Sequence, residues 1–124
     1  MSRIQRYPTP MPVPFSKAVS AGGFLFVSGQ LAMDASGNIL EGDVVAQTRV
    51  VLERIAATLQ ECGAGMGDVV KTTVFLGNLD DFAAFNEEYR KHFIAGLPAR
   101  STVGAKLYRN AKVEIEVQAL APQA

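Results

Sequence analysis

The sequence feature that constrains the fold most is the stretch 44–62, which reads VVAQTRVVLERIAATLQEC. Mostly apolar side chains recur there at intervals of three and four residues, which places them on one face of an α-helix. The positions on this face are Val44, Thr48, Val51, Leu52, Ile55, Leu59 and Cys62. Asp43 is a suitable N-cap, and Gly63 can adopt the left-handed conformation that commonly follows a helix. The stretch therefore predicts an amphipathic helix that buries one face against another layer.

Segments with strand patterns lie on both sides of this helix. Residues 24–28 predict a strand that ends at Gly29, and the β-branched residues of 69–76 predict another. A shorter strand is expected at 101–105. Residues 111–119 alternate strictly, as in a strand with one buried face. The apolar set there is Ala111, Val113, Ile115, Val117 and Ala119, and the polar set is Lys112, Glu114, Glu116 and Gln118.

A second helix is predicted from about Asp81, with Asp80 as its cap, up to the sequence Gly-Leu-Pro at 96–98. The aromatic residues that would form its buried face are Phe82, Phe85, Tyr89 and Phe93. The resulting order is strands, helix, strand, helix and two strands. It predicts one α+β domain over residues 1–124, with two helices covering one face of a mixed sheet.

The second face of that sheet needs a cover of its own. Phe24 and Phe26 alternate with Leu25 and Val27, and Phe75 likewise lies between apolar neighbours, so both faces are partly apolar. Sizeable exposed apolar surface usually marks an interface. We therefore expect a homo-oligomer in which a neighbouring subunit covers the second face.

Composition excludes several classes of function. Twelve basic residues balance twelve acidic ones, without the basic cluster that nucleic-acid binding requires. A single cysteine, Cys62, and a single histidine, His92, exclude a disulfide framework and the common multi-cysteine or multi-histidine metal sites. Four prolines within residues 8–14 replace a signal peptide's apolar run, and no apolar stretch is long enough for a membrane span. We expect a cytoplasmic protein without nucleic-acid or membrane partners.

The usual nucleophiles and bases are poor candidates here. His92 ends the charged run 87–92 and is expected to be a solvated helix residue. Cys62 lies on the predicted apolar face, where nothing nearby would activate its thiol. The glycine-rich sequence 63–67 lacks the lysine of a phosphate loop, so a turn is expected.

Two other regions could carry chemistry. Arg100 adjoins Ser101 and Thr102 at the start of a strand, where a guanidinium can bind a small carboxylate bidentately. Glu114 and Glu116 project from the polar side of the last strand. If a subunit covers that face, one of these carboxylates becomes partly buried and could act as a general base. Solvent exposure of all three charged groups is the alternative, and the pattern alone does not decide between them.

Four motifs together give the chain a family resemblance. They are VSGQ at 27–30, FNEEY at 85–89, PARSTV at 98–103 and VEIEV at 113–117. In this order and at this spacing they resemble the reactive intermediate deaminase family, also called the YjgF or endoribonuclease L-PSP family. The resemblance extends from about residue 15 to residue 119.

This resemblance implies a chorismate mutase-like subunit with a mixed six-stranded sheet and two helices on one face. It implies a homotrimer with a barrel-like core and active sites at the subunit interfaces. The implied activity is hydrolysis of reactive 2-enamino and 2-imino acids, such as 2-aminoacrylate, to 2-keto acids and ammonia, without a cofactor. Arg100 would bind the small substrate's carboxylate, and Glu114 would orient or activate the attacking water. The other substrate-binding residues implied are Phe15, Ser28, Gly29, Asn86 and Thr102.

Two positions depart from the family pattern. Phe15 stands where tyrosine is common and lacks its hydroxyl, and Thr102 stands where cysteine is frequent. Two alternatives therefore stay open: a pathway-specific deaminase of aminomuconate-like dienes, and a trimeric sensor that binds 2-keto acids without turnover. A nuclease, the activity attached to some family members, fits least, because the chain has no net charge and no basic stripe.

Overall fold

Six strands and two α-helices make up residues 3–123, the part of the chain that the computed structural model describes. The strands are β1 (Ile4–Tyr7), β2 (Ala18–Ala21), β3 (Phe24–Leu31), β4 (Val69–Leu76), β5 (Ala99–Gly104) and β6 (Val113–Leu120). The helices are α1 (Val44–Glu61) and α2 (Phe82–Arg90). Short 3-10 turns occupy Met66–Asp68, Leu79–Asp81 and Tyr108–Asn110.

The strands form a single mixed sheet in the order β1-β2-β3-β6-β4-β5. The neighbours are antiparallel except β4 and β5, which are parallel. A parallel pair needs a crossover connection, and α2 lies within it. The predicted α+β architecture, a six-stranded mixed sheet with two helices, is therefore confirmed.

The helix α1 forms where the periodicity predicts it. The Asp43 carboxylate accepts a hydrogen bond of 2.9 Å from the Ala46 N–H, a cap that contributes about 1 kcal/mol. Gly63 follows the helix with a φ of +82°, the left-handed conformation that glycine tolerates best. The completely buried side chains on its apolar face include Val51, Leu52, Ile55 and Leu59. Each such aliphatic side chain stabilises the fold by about 1.5–3 kcal/mol.

The core lies between the helices and one face of the sheet. Its β6 members are the apolar alternating set, and β3 and β4 contribute residues of the same face. The sheet residues of this core include Leu25, Val27, Val74, Leu76, Val113, Ile115, Val117 and Ala119.

The opposite face of the sheet carries apolar side chains that the chain itself does not cover. Phe24 is 40% exposed and Phe26 is 43% exposed, whereas their neighbours Leu25 and Val27 are buried. We call this surface the open face of the sheet. Its presence agrees with the sequence prediction that both faces are partly apolar.

Several predicted boundaries are wrong, and each has a local cause. Asp80 does not cap α2, because it lies in the preceding 3-10 turn, where the Asn78 side chain accepts from its N–H at 2.9 Å. The helix ends at Arg90 rather than at 96–98, because the N–H groups that follow bond three residues back and tighten the last turn. Phe82 is 44% exposed instead of buried.

The strand β3 does not end at Gly29 as predicted but continues to Leu31. Its register on β6 shifts between Val27 and Gln30, so a β-bulge absorbs the glycine. The short strands β1 and β2 were not predicted, because four residues are too few for a clear alternation. Within residues 3–123, no helix is long and apolar enough to cross a membrane.

Candidate functional site

The first group of candidate residues surrounds the bulge in β3. Ser28 and Gly29 occupy the bulge, and Glu114 on β6 pairs with Leu31 just beyond it. Gly29 faces the Glu114 side chain so closely that a Cβ atom at this position would collide with the carboxylate. Only glycine therefore leaves room for the Glu114 carboxylate in this position.

A loop preceding β2 packs against the same bulge. The Ser28 hydroxyl donates to the Ser16 carbonyl oxygen at 2.7 Å, and the Ser28 N–H donates to the Lys17 carbonyl oxygen at 3.0 Å. These bonds fix the backbone that carries Phe15, which is 56% exposed. The structure thus gathers Phe15, Ser28, Gly29 and Glu114, which we call the glutamate half-site.

The Glu114 carboxylate has an unusual electrostatic environment. Its side chain is partly buried, and within residues 3–123 it has no ion pair or side-chain hydrogen bond. Burial, together with the negative charge of Glu116, raises the pKa of Glu114 above its ordinary value of 4.5. A carboxylate with a raised pKa is a stronger base than a solvated one, so Glu114 is suited to accept a proton.

The second group of residues lies where β5 meets α2. The Arg100 guanidinium carbon is 4.8 Å from the ring centre of Tyr89, 5.4 Å from that of Phe85 and 5.6 Å from that of Phe82. Thr102 lies two residues further along β5 and therefore on the same face as Arg100. Within residues 3–123, no carboxylate forms an ion pair with Arg100. Its charge is consequently available to an anionic ligand.

Asn86 belongs to this second group through α2. It lies four residues after Phe82 and three before Tyr89, so it shares the helix face that meets Arg100. Its side-chain oxygen is buried without a hydrogen-bond partner in the described part of the chain. Arg100, Thr102 and Asn86 together make up what we call the arginine half-site.

The two half-sites do not meet within one chain. Glu114 alternates with buried residues of β6 and therefore lies on the open face, whereas Arg100 lies on the face that α2 covers. In register, Glu114 pairs with Phe75, which pairs with Val103 three residues from Arg100. The two residues are therefore about 10 Å apart perpendicular to the strands, which is two strand spacings, and about 10 Å apart in the strand direction. A site that uses both residues must therefore combine two chains.

Sequence reasoning missed a third cluster, in which Glu88 is buried between α1 and α2. Glu88 is 3% exposed. Its carboxylate oxygens lie 3.1 Å from Arg49 Nη2, 3.6 Å from Lys91 Nζ and 2.7 Å from His92 Nε2. The prediction that His92 is solvated is wrong, since its side chain is 18% exposed and bonds to Glu88. Glu88 lies three residues after Phe85, a spacing that could have placed it on the buried face of α2.

The pKa of Glu88 reflects these hydrogen-bonding and charged neighbours. Burial alone would raise the pKa, but hydrogen bonds with His92 and Arg49 and the charges of Arg49 and Lys91 lower it to about 2. The cluster is therefore an ion-paired link between the helices.

Burial raises the pKa of the Cys62 thiol, which fits the inert role predicted for it. No group of three His, Cys, Asp or Glu residues within 3–123 could hold a metal ion.

A sequence profile described as "Endoribonuclease L-PSP" matches residues 8–121. The chain belongs to the endoribonuclease L-PSP family. The family resemblance that the four motifs indicated is thereby confirmed. A RutC family protein of Pyrococcus abyssi is 45% identical over 110 residues, which cover 86% of this chain and 87% of that protein.

Other relatives of the L-PSP family have more specific names. The 2-iminobutanoate/2-iminopropanoate deaminase of Salmonella typhimurium is 40% identical over 111 residues, covering 86% of this chain and 87% of that protein. Among solved structures, yeast Mmf1 superimposes with a TM-score of 0.89 at 31% identity, covering 96% of this chain and 99% of that chain. A putative endoribonuclease from Thermotoga maritima gives a TM-score of 0.85 at 38% identity, covering 95% and 94% of the two chains. The L-PSP fold therefore extends over nearly the whole of this chain.

Proposed function

We propose that the protein hydrolyses reactive 2-enamino and 2-imino acids to 2-keto acids and ammonia. The observation that carries the proposal is that, within residues 3–123, Arg100 has no anionic partner and Glu114 has no cationic one. Relatives at 38–40% identity named 2-iminobutanoate/2-iminopropanoate deaminase support it. A small substrate with a carboxylate and an adjacent imine carbon matches both groups.

Each proposed site combines the arginine half-site of one subunit with the glutamate half-site of the next. The apolar open face supplies a surface for this contact, and we propose a homotrimer with three such interfaces. The arrangement explains how Arg100 and Glu114 can act together although they lie on opposite faces of one sheet. In this proposal, hydrolysis requires the assembled homotrimer.

The proposed reaction begins with the imine form of the substrate, its carboxylate held by Arg100. A water molecule attacks the imine carbon while the Glu114 carboxylate accepts one of its protons. That proton passes to nitrogen and gives the neutral carbinolamine. Glu114 then transfers the hydroxyl proton of the carbinolamine to its nitrogen, the carbon–nitrogen bond breaks, and ammonia leaves as the carbonyl forms. The balance is one imino acid and one water to one 2-keto acid and one ammonia.

The rate enhancement asked of the protein is modest, because enamines tautomerise and hydrolyse readily in water. Positioning by one arginine lowers the entropic part of the barrier. Proton transfer through Glu114 contributes about 10²–10⁴-fold. This accounts for a site that needs neither a histidine nor a thiol nucleophile.

The experiment that tests this function generates 2-aminoacrylate in situ, from serine and a pyridoxal-phosphate-dependent dehydratase. We expect the wild type to accelerate its loss, Arg100→Ala to abolish the acceleration and Glu114→Ala to reduce it strongly. Arg90→Ala and Glu87→Ala are matched controls, because both side chains are exposed on α2. A folded oligomer that gives no acceleration contradicts the proposal for this substrate. Binding of a 2-keto acid without turnover would instead favour the sensor.

Shared sites can be tested separately by mixing subunits. Arg100→Ala and Glu114→Ala chains, each inactive alone, are unfolded together in equal amounts and refolded. Roughly a quarter of the sites should then hold both intact residues, and activity should return in proportion. If the mixture stays as inactive as its components while light scattering shows intact oligomers, the two residues do not act across an interface.

A further inference from the structure

The arginine half-site includes a tyrosine that the proposed chemistry has not used. Tyr89 on α2 is 4% exposed, and its ring is the nearest of the three rings that surround the Arg100 guanidinium, at 4.8 Å. An arginine on an edge strand would otherwise sample many rotamers, at an entropic cost when it binds a ligand. The surrounding rings restrict that freedom, since cations are attracted to aromatic faces.

The Tyr89 ring is itself held on two sides. Phe85 lies 5.3 Å away and Phe93 lies 4.8 Å away, both measured between ring centres in tilted arrangements. Phe85 is fully buried and Phe93 is 5% exposed. Neither neighbour can move without disturbing the core, so the ring has one position available to it.

The hydroxyl of Tyr89 is anchored to the sheet. It lies 2.7 Å from the hydroxyl oxygen of Thr72, which is fully buried on β4. Thr72 is the parallel register neighbour of Arg100 on β5. Burial raises the pKa of Tyr89, whereas the hydrogen bond with Thr72 and the positive charge of Arg100 act against that rise. Tyr89 is therefore bonded through its hydroxyl to β4, while its ring contacts Arg100 on the neighbouring strand β5.

We propose that Tyr89, anchored by Thr72, is a positioning residue that holds the Arg100 guanidinium ready for a ligand carboxylate. The proposal rests on the proposed function for the role of Arg100. The ring attracts the cation but leaves its charge in place, whereas a carboxylate partner would neutralise that charge. The phenolic oxygen can accept one guanidinium N–H while its own proton goes to Thr72. The remaining donors of Arg100 are then free to bind a planar carboxylate.

The test compares binding of pyruvate with binding of pyruvamide, which lacks the carboxylate, by nuclear magnetic resonance titration. Tyr89→Phe removes only the hydroxyl and should weaken pyruvate binding by about tenfold, the value of one hydrogen bond. Pyruvamide binding should not change. Thr72→Val should weaken pyruvate binding in the same direction, whereas Thr72→Ser, which keeps the hydroxyl, should restore it. In turnover, KM should rise while kcat is retained, because Glu114 is untouched.

Tyr108→Phe is the matched control, because Tyr108 is 53% exposed and Arg109 lies 5.1 Å from its ring centre. The proposal is overturned if Tyr89→Phe binds pyruvate as the wild type does, or if pyruvate and pyruvamide weaken by the same factor. It is also overturned if pyruvate binding in the wild type does not depend on Arg100. If pyruvate binds through Arg100 but 2-aminoacrylate is not hydrolysed, the positioning role stands and the deaminase function fails.

Discussion

Glu88 and Glu114 are both withdrawn from solvent, yet their surroundings shift their pKa values in opposite directions. Burial disfavours the charge of each, but at Glu88 hydrogen bonds with His92 and Arg49 and the charges of Arg49 and Lys91 compensate it and lower the pKa to about 2. At Glu114 the negative charge of Glu116 raises the pKa further. The first carboxylate lies between two helices and the second on the open face of the sheet.

The difference separates a carboxylate that links two helices from the one that we propose as the catalytic base. A glutamate with its acceptor sites filled by cations has no basicity left for a substrate, and its removal breaks links between elements. A glutamate with no cation keeps its basicity, at a cost to the stability of the fold. Compensation of charge, rather than burial itself, therefore distinguishes the two roles.

The largest expected effect comes from making the same isosteric change at both carboxylates. Glu114→Gln should lower kcat by about 10²–10⁴-fold, because the base is lost. Its free energy of unfolding should not fall, because within residues 3–123 no ion pair is broken and the cost of an uncompensated charge is removed. Glu88→Gln should leave kcat of the folded protein unchanged. Assays of 2-aminoacrylate hydrolysis and urea unfolding give both quantities, and a fall in kcat for both variants would remove the distinction.

The next effect concerns the clearance that Gly29 gives to Glu114. Gly29→Ala should displace the carboxylate by roughly an ångström and lower kcat/KM by about 10²-fold. The backbone of Gly29 is not in the left-handed region, so the added methyl group should act through the carboxylate rather than through strain. Gly65→Ala is the control, because a Cβ there meets no atom within 4 Å. If Gly29→Ala and Gly65→Ala have the same kcat/KM, catalysis does not require the Glu114 carboxylate to lie against Gly29.

A third prediction concerns stability and its dependence on pH. Glu88→Gln should lower the free energy of unfolding by about 2 kcal/mol at pH 7, because charged hydrogen bonds are lost. In the wild type, the folded pKa of Glu88 is lowered from 4.5 to about 2. Its contribution is therefore complete above the unfolded pKa and disappears as pH falls toward 2. Denaturant titrations from pH 6 to pH 2 should show a smaller decline for Glu88→Gln than for the wild type.

The smallest expected effect tests how Glu116 influences Glu114. Glu116→Gln removes the negative charge that raises the pKa of Glu114. The acid limb of the kcat/KM profile should then move to lower pH by a fraction of a unit, since burial remains. Glu87→Gln, exposed on α2, should leave the limb where it is. If the acid limb of the kcat/KM profile does not move in Glu116→Gln, the limb reports the titration of a group other than Glu114.

The elements whose signal lies within one segment could be predicted from the sequence. The spacing of apolar residues in α1 and the alternation in β6 each report a single buried face, and both elements lie where they were predicted. The strands β1 and β2 are four residues each and carry too few positions for a pattern. Gly29 suggested a strand end, but a bulge in a sheet accommodates glycine equally well.

The site was harder to predict, because its geometry depends on pairing between distant strands. Motifs could nominate Arg100 and Glu114, yet their separation onto opposite faces follows from the parallel pairing of β4 with β5. Glu88 was missed because it lies in a run of charged residues that resembles a solvated helix face. Its burial follows from the packing of α2 on α1, which brings Arg49 to it.

The placement of Arg100 and Glu114 on opposite faces also has a genetic consequence. In the proposed homotrimer, a chain that had lost both residues would keep the surfaces used for assembly and would still join intact copies. In a closed ring it would inactivate both of the sites it borders, and only the site between intact neighbours would survive. Activity in a mixed population would then fall faster than the share of mutant chains rises. An allele of this kind would act dominantly, whereas one that prevents folding would be recessive.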